Sequence, residues 1–395
     1  MAQTELQPGQ VQASQKGLKE HRYYRPELDV LRLVAFLLVF FTHRMDLAHI
    51  DRHAHPWRYN LSLIGVFGVP VFFLLSAFLI TELLTREQEQ VNTIHLRAFY
   101  MRRILRIWPL YFAALLGLTM LTRYIPHAGI TTPGSWLAFT FFSGNWYICK
   151  YGWLRAYPVN PFWSLSVEEQ FYLIIPLIAL YGRRRGLTIV CLGLLVVAYL
   201  AIYLYGIHPR TGFSSQWTNS FVQFQFFATG TLLSLGLRGR LPHRHPFLRI
   251  HLAAAAIGCW LIAFLQFGVE ADNPHPANAA GSLIGWGFVL AGTTLLFLSL
   301  LGASSKYLPK AAIYLGRISY GLYLIHALVL YMVFHVWKSS LTDLSATLHL
   351  AYWRNAVGTA IALAATILLA MLSYHFFESP FLRLKKRFTF IPSRD

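Results

Sequence analysis

Charged residues are scarce in this chain. They make up 13% of its 395 residues, against ~25% in a soluble globular domain, so the polar surface that an aqueous fold needs is missing. Acidic residues are scarcer still, 16 against 34 Lys and Arg. Cysteine occurs three times, at Cys149, Cys191 and Cys259, which supplies neither a disulfide framework nor a metal-ligand spacing. No stretch reads as a separate soluble domain, since the tails before Arg25 and after Pro380 are short. The first apolar run, from Val30, has no small-residue cleavage site after it and reads as an uncleaved helix rather than a signal peptide. There is no convincing internal repeat.

What the chain has instead is apolar length. Hydrophobic residues are 56% of it, gathered into runs near the ~20 residues that a bilayer requires. Spans are predicted at about 30–48, 62–84, 104–122, 162–181, 187–206, 219–237, 248–268, 281–301, 313–336 and 354–377. The reading is an all-α polytopic membrane protein of about ten transmembrane helices in the cell membrane. A short apolar stretch at 135–148, broken by Ser143, Gly144 and Asn145, is read as re-entrant or interfacial.

The formal charge of +18 does not point to nucleic acid, because its residues sit in short loops beside apolar runs. Arg183 to Arg185, the arginines at 238, 240 and 244, and Lys385 to Arg387 follow the pattern of a cytoplasmic membrane face. With 135–148 not crossing, most basic loops and both termini fall on one side, while 269–280 carries only Glu270 and Asp272. Residues 1–24 then form a disordered cytoplasmic tail, 25–382 the membrane domain and 383–395 a basic cytoplasmic tail.

Ionisable residues inside spans are the candidates for chemistry. Arg32 and His43 lie eleven residues apart in the first span, which brings both to one helical face about 16 Å apart. The bland alternative is that Arg32 pairs with Asp29 and His43 sits at an interface. In the stretch NPFWSLSVEEQFYL, Asn160-Pro161 reads as a helix start, and Ser166 with Glu169 matches a capping box. Glu168 shares a face with Ser164 and Tyr172, at a depth comparable to that of His43. There a carboxylate can orient an imidazole base. Arg102, Arg103 and Arg106 are dense enough to hold phosphates, with plain topological anchoring as the alternative. Ser319, Tyr323 and His326 fall on one face and either line a pocket or knit helices together. Glu378 reads as a structural salt bridge with a basic loop. His49, Asp51, His53 and His55 in an outer loop match no metal site with a known mechanism, and no metal is expected.

These segments together resemble the acyltransferase 3 family of membrane proteins, from Arg25 to about Arg383. The likeness is carried by Arg32 with His43, GVFGVPVFFLLSAFLI at 65–80, RRILRIWPLY at 102–111, FWSLSVEEQFYL at 162–173, SYGLYLIH at 319–326 and FFESPFL at 376–382. It implies an O-acyltransferase that moves an acyl group, most often acetyl from cytoplasmic acetyl-CoA, to a hydroxyl of a sugar, glycolipid, surface polysaccharide or natural product. It further implies that His43 is the catalytic histidine, as general base or as transient acyl carrier, with Arg32 its companion and the arginines at 102–106 donor-side residues. Pro70 and Ala77 depart from the family, which usually has an acid and a glycine there. Some relatives carry an extracytoplasmic hydrolase-like domain, so transfer here is expected to be completed by this chain or by a separate partner. Acyl-CoA is a substrate, and no permanently bound cofactor is expected. A secondary transporter of an anionic solute is the alternative of a different class.

The orientation is open to test by thiol labelling. With Arg184→Cys, a membrane-impermeant maleimide should react only from the cytoplasmic side, and with Asp272→Cys only from outside. Labelling of the first variant in intact cells would mean that 135–148 crosses.

Overall fold

Backbone in hydrocarbon must satisfy its own hydrogen bonds, and a long apolar run does so as a helix. The computed structural model describes residues 23–48, 63–208, 215–242, 244–271 and 278–389, and among them no strand forms. The first half runs α1 (Pro26–Ala48), α2 (Gly68–Val91), α3 (Leu96–Leu121), α4 (Pro133–Thr140), α5 (Gly144–Tyr151) and α6 (Phe162–Ile207). The second half runs α7 (Ser220–Leu237), α8 (Pro246–Leu265), α9 (Ala279–Leu300), α10 (Lys310–Arg317), α11 (Ser319–Tyr331), α12 (Lys338–Thr347), α13 (Arg354–Leu372) and α14 (Ser379–Lys385). His49, Asp51, His53, His55 and Asp272 lie outside the described residues.

Eight helical stretches are long and apolar enough to cross a membrane. Helix α1 is not among them, because Glu27, Asp29, Arg32 and Arg44 punctuate its 23 residues. Its length of about 35 Å still suffices to span. Helix α6 is two arms rather than one rod. At Arg183 the backbone turns to φ 50°, ψ −152°. The carbonyl oxygen of Ile178 then lies 3.8 Å from where a Cβ on Gly186 would stand. Eight residues of straight helix would separate them by about 12 Å, so the chain doubles back. Ten passes result among the described residues, as expected.

Three local expectations are corrected. The predicted span 313–336 is broken, with α10 ending and α11 beginning at Ile318. The capping box does not form. Helix α6 starts at Phe162 behind Pro161, so Ser166 lies buried inside the helix rather than at its cap. Glu378 makes no ion pair among the described residues; it is buried and accepts a bond from Ser373 at 3.2 Å. The stretch 135–148 falls in α4 and α5, eight residues each, with Phe142 at φ 51° between them. Each helix is about 12 Å long, too short for a hydrocarbon core of ~30 Å.

Helices in lipid associate where small residues let backbones meet, and α1 is held this way on two sides. A Cβ on Gly68 of α2 would stand 2.5 Å from the carbonyl oxygen of Ala35, and one on Gly316 of α10 would stand 1.8 Å from that of Asp29. Helix α2 meets α7 likewise through Gly230, against the carbonyl of Leu74. Elsewhere large rings fill the space, with Phe67, Trp217, Trp260 and Trp286 all fully buried. Several basic loop residues have structural partners. Arg244 donates to the Leu298 carbonyl at 2.6 Å and Arg249 to that of Ser299 at 2.8 Å, at the negative end of α9. Tyr23, on the tail side of the boundary expected at residue 24, is buried and donates to Glu82, which Arg25 also reaches at 2.7 Å.

These contacts predict that Gly230→Leu, which forces α2 and α7 apart, destabilises the solubilised protein by about 1–3 kcal/mol or more. Gly117→Ala, with nothing within 4 Å of the new Cβ, should leave thermal unfolding in detergent unchanged or slightly raised. Equal unfolding temperatures for both variants would remove the close approach from the account.

Candidate active site

Several of the ionisable residues inside the bundle converge on two chambers. The first holds about 100 Å³ and is walled by Arg32 of α1, Ser76 of α2, Arg103 and Arg106 of α3, Glu168 and Tyr172 of α6, and Ser319 of α11. A mouth continues it past Arg25, Leu28 and Lys385, sharing Arg32, Ser76, Arg103 and Arg106 with it. The second holds about 330 Å³ and is walled by His43 and Thr42 of α1, Tyr157 and Asn160 before α6, Trp153, Trp163, Trp217 and Glu270. Val69 and Tyr323 line both chambers, so they form the partition between them. The Tyr323 hydroxyl sits 2.7 Å from Ser164 Oγ and 3.1 Å from the Pro161 carbonyl oxygen.

Helical periodicity places Arg32 and His43 on one face, and the distance along α1 sends them to opposite sides of that partition. Arg32 donates to Asp29 Oδ1 at 2.7 Å, with the Asp29 side chain fully buried. A guanidinium in a span is costly unless paired, and this bond leaves the rest of its fork to the chamber. Arg103 and Arg106, three residues apart on α3, face the same space. The Arg103 guanidinium lies 5.2 Å from the ring centre of Tyr172, within cation–π range, and its buried Nε has no hydrogen-bond partner among the described residues. Arg102 turns away, donating to Glu87 at 3.2 Å and to the Phe388 carbonyl at 2.6 Å. The expected triplet is thus divided, with Lys385 from α14 taking a place at the mouth that Arg102 does not.

Glu168 and His43 are not brought together. Glu168 faces the arginine chamber and accepts the Tyr172 hydroxyl proton. His43 faces the aromatic chamber, and its ring partner is His326, at 2.8 Å from Nδ1 to Nε2. The expectation of comparable depth counts turns from span ends that the sequence locates only to within a few residues. Glu169 takes the Trp108 indole N–H at 3.1 Å. Of the residues on one face of α11, Ser319 lines the arginine chamber, Tyr323 the partition, and His326 the back of His43.

Several wall residues carried no readable signal. Trp153 and Tyr157 come from the loop before α6, where no period orders them; Asn160, read only as part of a helix start, is held by a reciprocal pair of bonds to the Leu154 backbone. Ser76 and Lys385 lay in segments singled out for other reasons. The two departures from the family pattern, Pro70 and Ala77, are both buried, and neither is on the wall of either chamber.

The model of one protein family, described as "Acyltransferase domain", matches residues 25–375. The chain is similar to "Putative O-acetyltransferase SAS0844" of Staphylococcus aureus, 26% identical over 393 residues that cover 93% of this chain and 59% of that protein. It is also similar to "Peptidoglycan O-acetyltransferase OatA" of Listeria monocytogenes, 24% identical over 381 residues covering 91% and 56%. The chain therefore spans somewhat over half the length of the curated relatives it matches. No solved structure matches it significantly.

The Arg32–Asp29 pair gives a direct test of the arginine chamber's wall. Asp29→Ala leaves a buried guanidinium without its carboxylate and should destabilise the protein by about 3–5 kcal/mol. Thermal unfolding in detergent measures it, and an unchanged midpoint would mean that the pair is not maintained.

Proposed function

Because the chain belongs to the acyltransferase family whose model covers residues 25–375, we propose that it is a membrane O-acyltransferase with its donor in the arginine chamber and its acceptor in the aromatic one. The observation that carries this reading is the meeting of a cationic chamber and a histidine chamber at a single thin partition. An acyl-CoA donor is anionic at one end and has a long neutral arm ending in a thioester. Phosphates bind arginine forks well, so Arg103, Arg106 and Lys385 hold them at the mouth, taken as cytoplasmic. Arg32 lies deeper and faces the arm. The arm reaches the partition at Tyr323, beyond which lies His43.

The aromatic chamber suits a hydroxyl-bearing acceptor. Faces of Trp153, Trp163, Trp217 and Tyr157 offer apolar walls, and the buried Trp153 indole N–H has no hydrogen-bond partner among the described residues. The relatives' names supply the class, a glycan hydroxyl such as those of peptidoglycan. His43 is the general base. Its ring takes the acceptor's hydroxyl proton as that oxygen attacks the thioester carbonyl carbon. The carbon–sulfur bond then breaks, the acyl group stays on the acceptor oxygen, and the proton on the imidazole passes to the departing CoA thiolate. Glu168 acts from the donor side through Tyr172, and Arg102 holds α3 to the Phe388 carbonyl.

Purified protein incubated with labelled acetyl-CoA and soluble peptidoglycan fragments separates this reading from a transporter, since only an enzyme releases CoA and labels the fragments. His43→Ala should abolish transfer while leaving CoA affinity unchanged. Arg103→Gln or Arg106→Gln should each weaken CoA binding by roughly ten- to a hundred-fold, the effect of one charge-assisted hydrogen bond at ~1.5–3 kcal/mol. Arg102→Gln should weaken it far less. Unchanged CoA affinity in both the 103 and 106 variants would reduce these arginines to topological anchors.

A further inference from the structure

We infer that His326 is a positioning residue that sets the ring tautomer of His43, so that the nitrogen left bare is Nε2. The assignment follows from a chain of three groups. His326 Nδ1 lies 2.6 Å from the carbonyl oxygen of Tyr323. A carbonyl oxygen has lone pairs and no proton, so Nδ1 of His326 carries the hydrogen and donates. A neutral imidazole has one N–H, which leaves His326 Nε2 as an acceptor. His43 Nδ1 stands 2.8 Å from that atom, so it must be the donor. His43 is thereby held as the Nδ1–H form, and its Nε2 is a lone pair.

The neutral state of His326 follows from its surroundings. It is fully buried, with the Phe36 ring edge-on at 5.9 Å between centres and the Phe40 ring at 6.4 Å. No carboxylate among the described residues acts on it; its titratable neighbours are the His43 ring and the Tyr323 phenol, whose ring centre lies 5.6 Å away. An isolated charge in so apolar a place is strongly disfavoured. The geometry of the pair is that of a true hydrogen bond. The ring planes are 21° apart, and centres 5.1 Å apart with a 2.8 Å bond between them place the rings edge to edge. The proton thus points along the acceptor's lone pair, in the ring plane, where the bond is strongest.

The consequence is specific. In water a histidine side chain interconverts between two neutral tautomers, and only one presents a basic nitrogen in a given direction. Tyr323 contributes at both ends of this device. Its side chain forms the partition and its main-chain carbonyl anchors His326. A second His therefore does here what a carboxylate does for many catalytic imidazoles, without placing a negative charge in the span. The catalytic use rests on the reading of His43 as the base; the tautomer rests on hydrogen bonds alone.

The test is nitrogen-15 NMR on the full, detergent-solubilised chain labelled at histidine, with His43→Gln subtracted to assign the His43 signals. Wild-type protein should show His43 protonated at Nδ1 and bare at Nε2. His326→Leu removes the acceptor and should let the Nε2–H form appear, whereas His326→Gln keeps an acceptor oxygen and should restore the wild-type pattern. With acetyl-CoA and peptidoglycan fragments, kcat should fall about 10²-fold in the leucine variant, with KM for acetyl-CoA unchanged, and recover to within about tenfold in the glutamine variant. An Nε2–H signal for His43 in wild-type protein would overturn the inference, and so would an unaltered tautomer in His326→Leu. A changed tautomer with unchanged kcat would overturn the catalytic use and the reading of His43 as base, leaving the ring assignment intact.

Discussion

Asp29 lies three residues before Arg32 on the same helix, and the bond between them is the condition on which the arginine chamber exists. Without it a guanidinium this deep in the bundle would be drawn toward water or expelled from the span. With it the cation is anchored at one edge and open at the other. The same aspartate is the place where α10 comes nearest, since Gly316 packs on its carbonyl. A side chain at 316 would push away the helix that leads into α11, and α11 carries Ser319, Tyr323 and His326. The ion pair, the glycine and the face of α11 that lines the chambers are therefore one mechanical unit.

Charge in this protein is arranged in two grades. Some cations have partners from the protein itself: Arg25 on Glu82, Arg244 and Arg249 on the carbonyls ending α9, Arg102 on Glu87 and Phe388. Others, Arg103 and Arg106 above all, line a cavity. A basic cluster read from sequence mixes the two grades, because both obey the same preference for one membrane face.

That is why the sequence disclosed some of the site and not the rest. Helical period alone put Arg32 and His43 on one face, and Ser319, Tyr323 and His326 on another; the structure sends the first two to different chambers and spreads the other three over the arginine chamber, the partition and the His43 ring. Periodicity carries no information on which helix lies opposite. So Glu168 was matched with His43 on estimated depth, when the true neighbour of that ring comes from a helix nearly three hundred residues away. Density alone grouped Arg102 with Arg103 and Arg106, whereas the chamber selects Arg103 with Arg106, because Glu87 and the Phe388 carbonyl claim Arg102. The capping box at Ser166 failed for a local reason: the helix had already begun at Phe162 behind a proline. The number of passes was legible, and so was the turn at Arg183, which falls between the spans predicted at 162–181 and 187–206, but the break at Ile318 was not.

The partition at Tyr323 has a consequence outside acyl transfer. Two cavities set back to back inside a bundle that crosses a membrane are most of the way to a channel. A phenol and a valine are what stand between them. A cell membrane stores energy as an ion gradient, and a continuous wet path through such a bundle would discharge it. The hydroxyl of Tyr323, latched to Ser164 and Pro161, therefore closes the protein as an electrical leak while keeping the wall between the cavities one side chain thick.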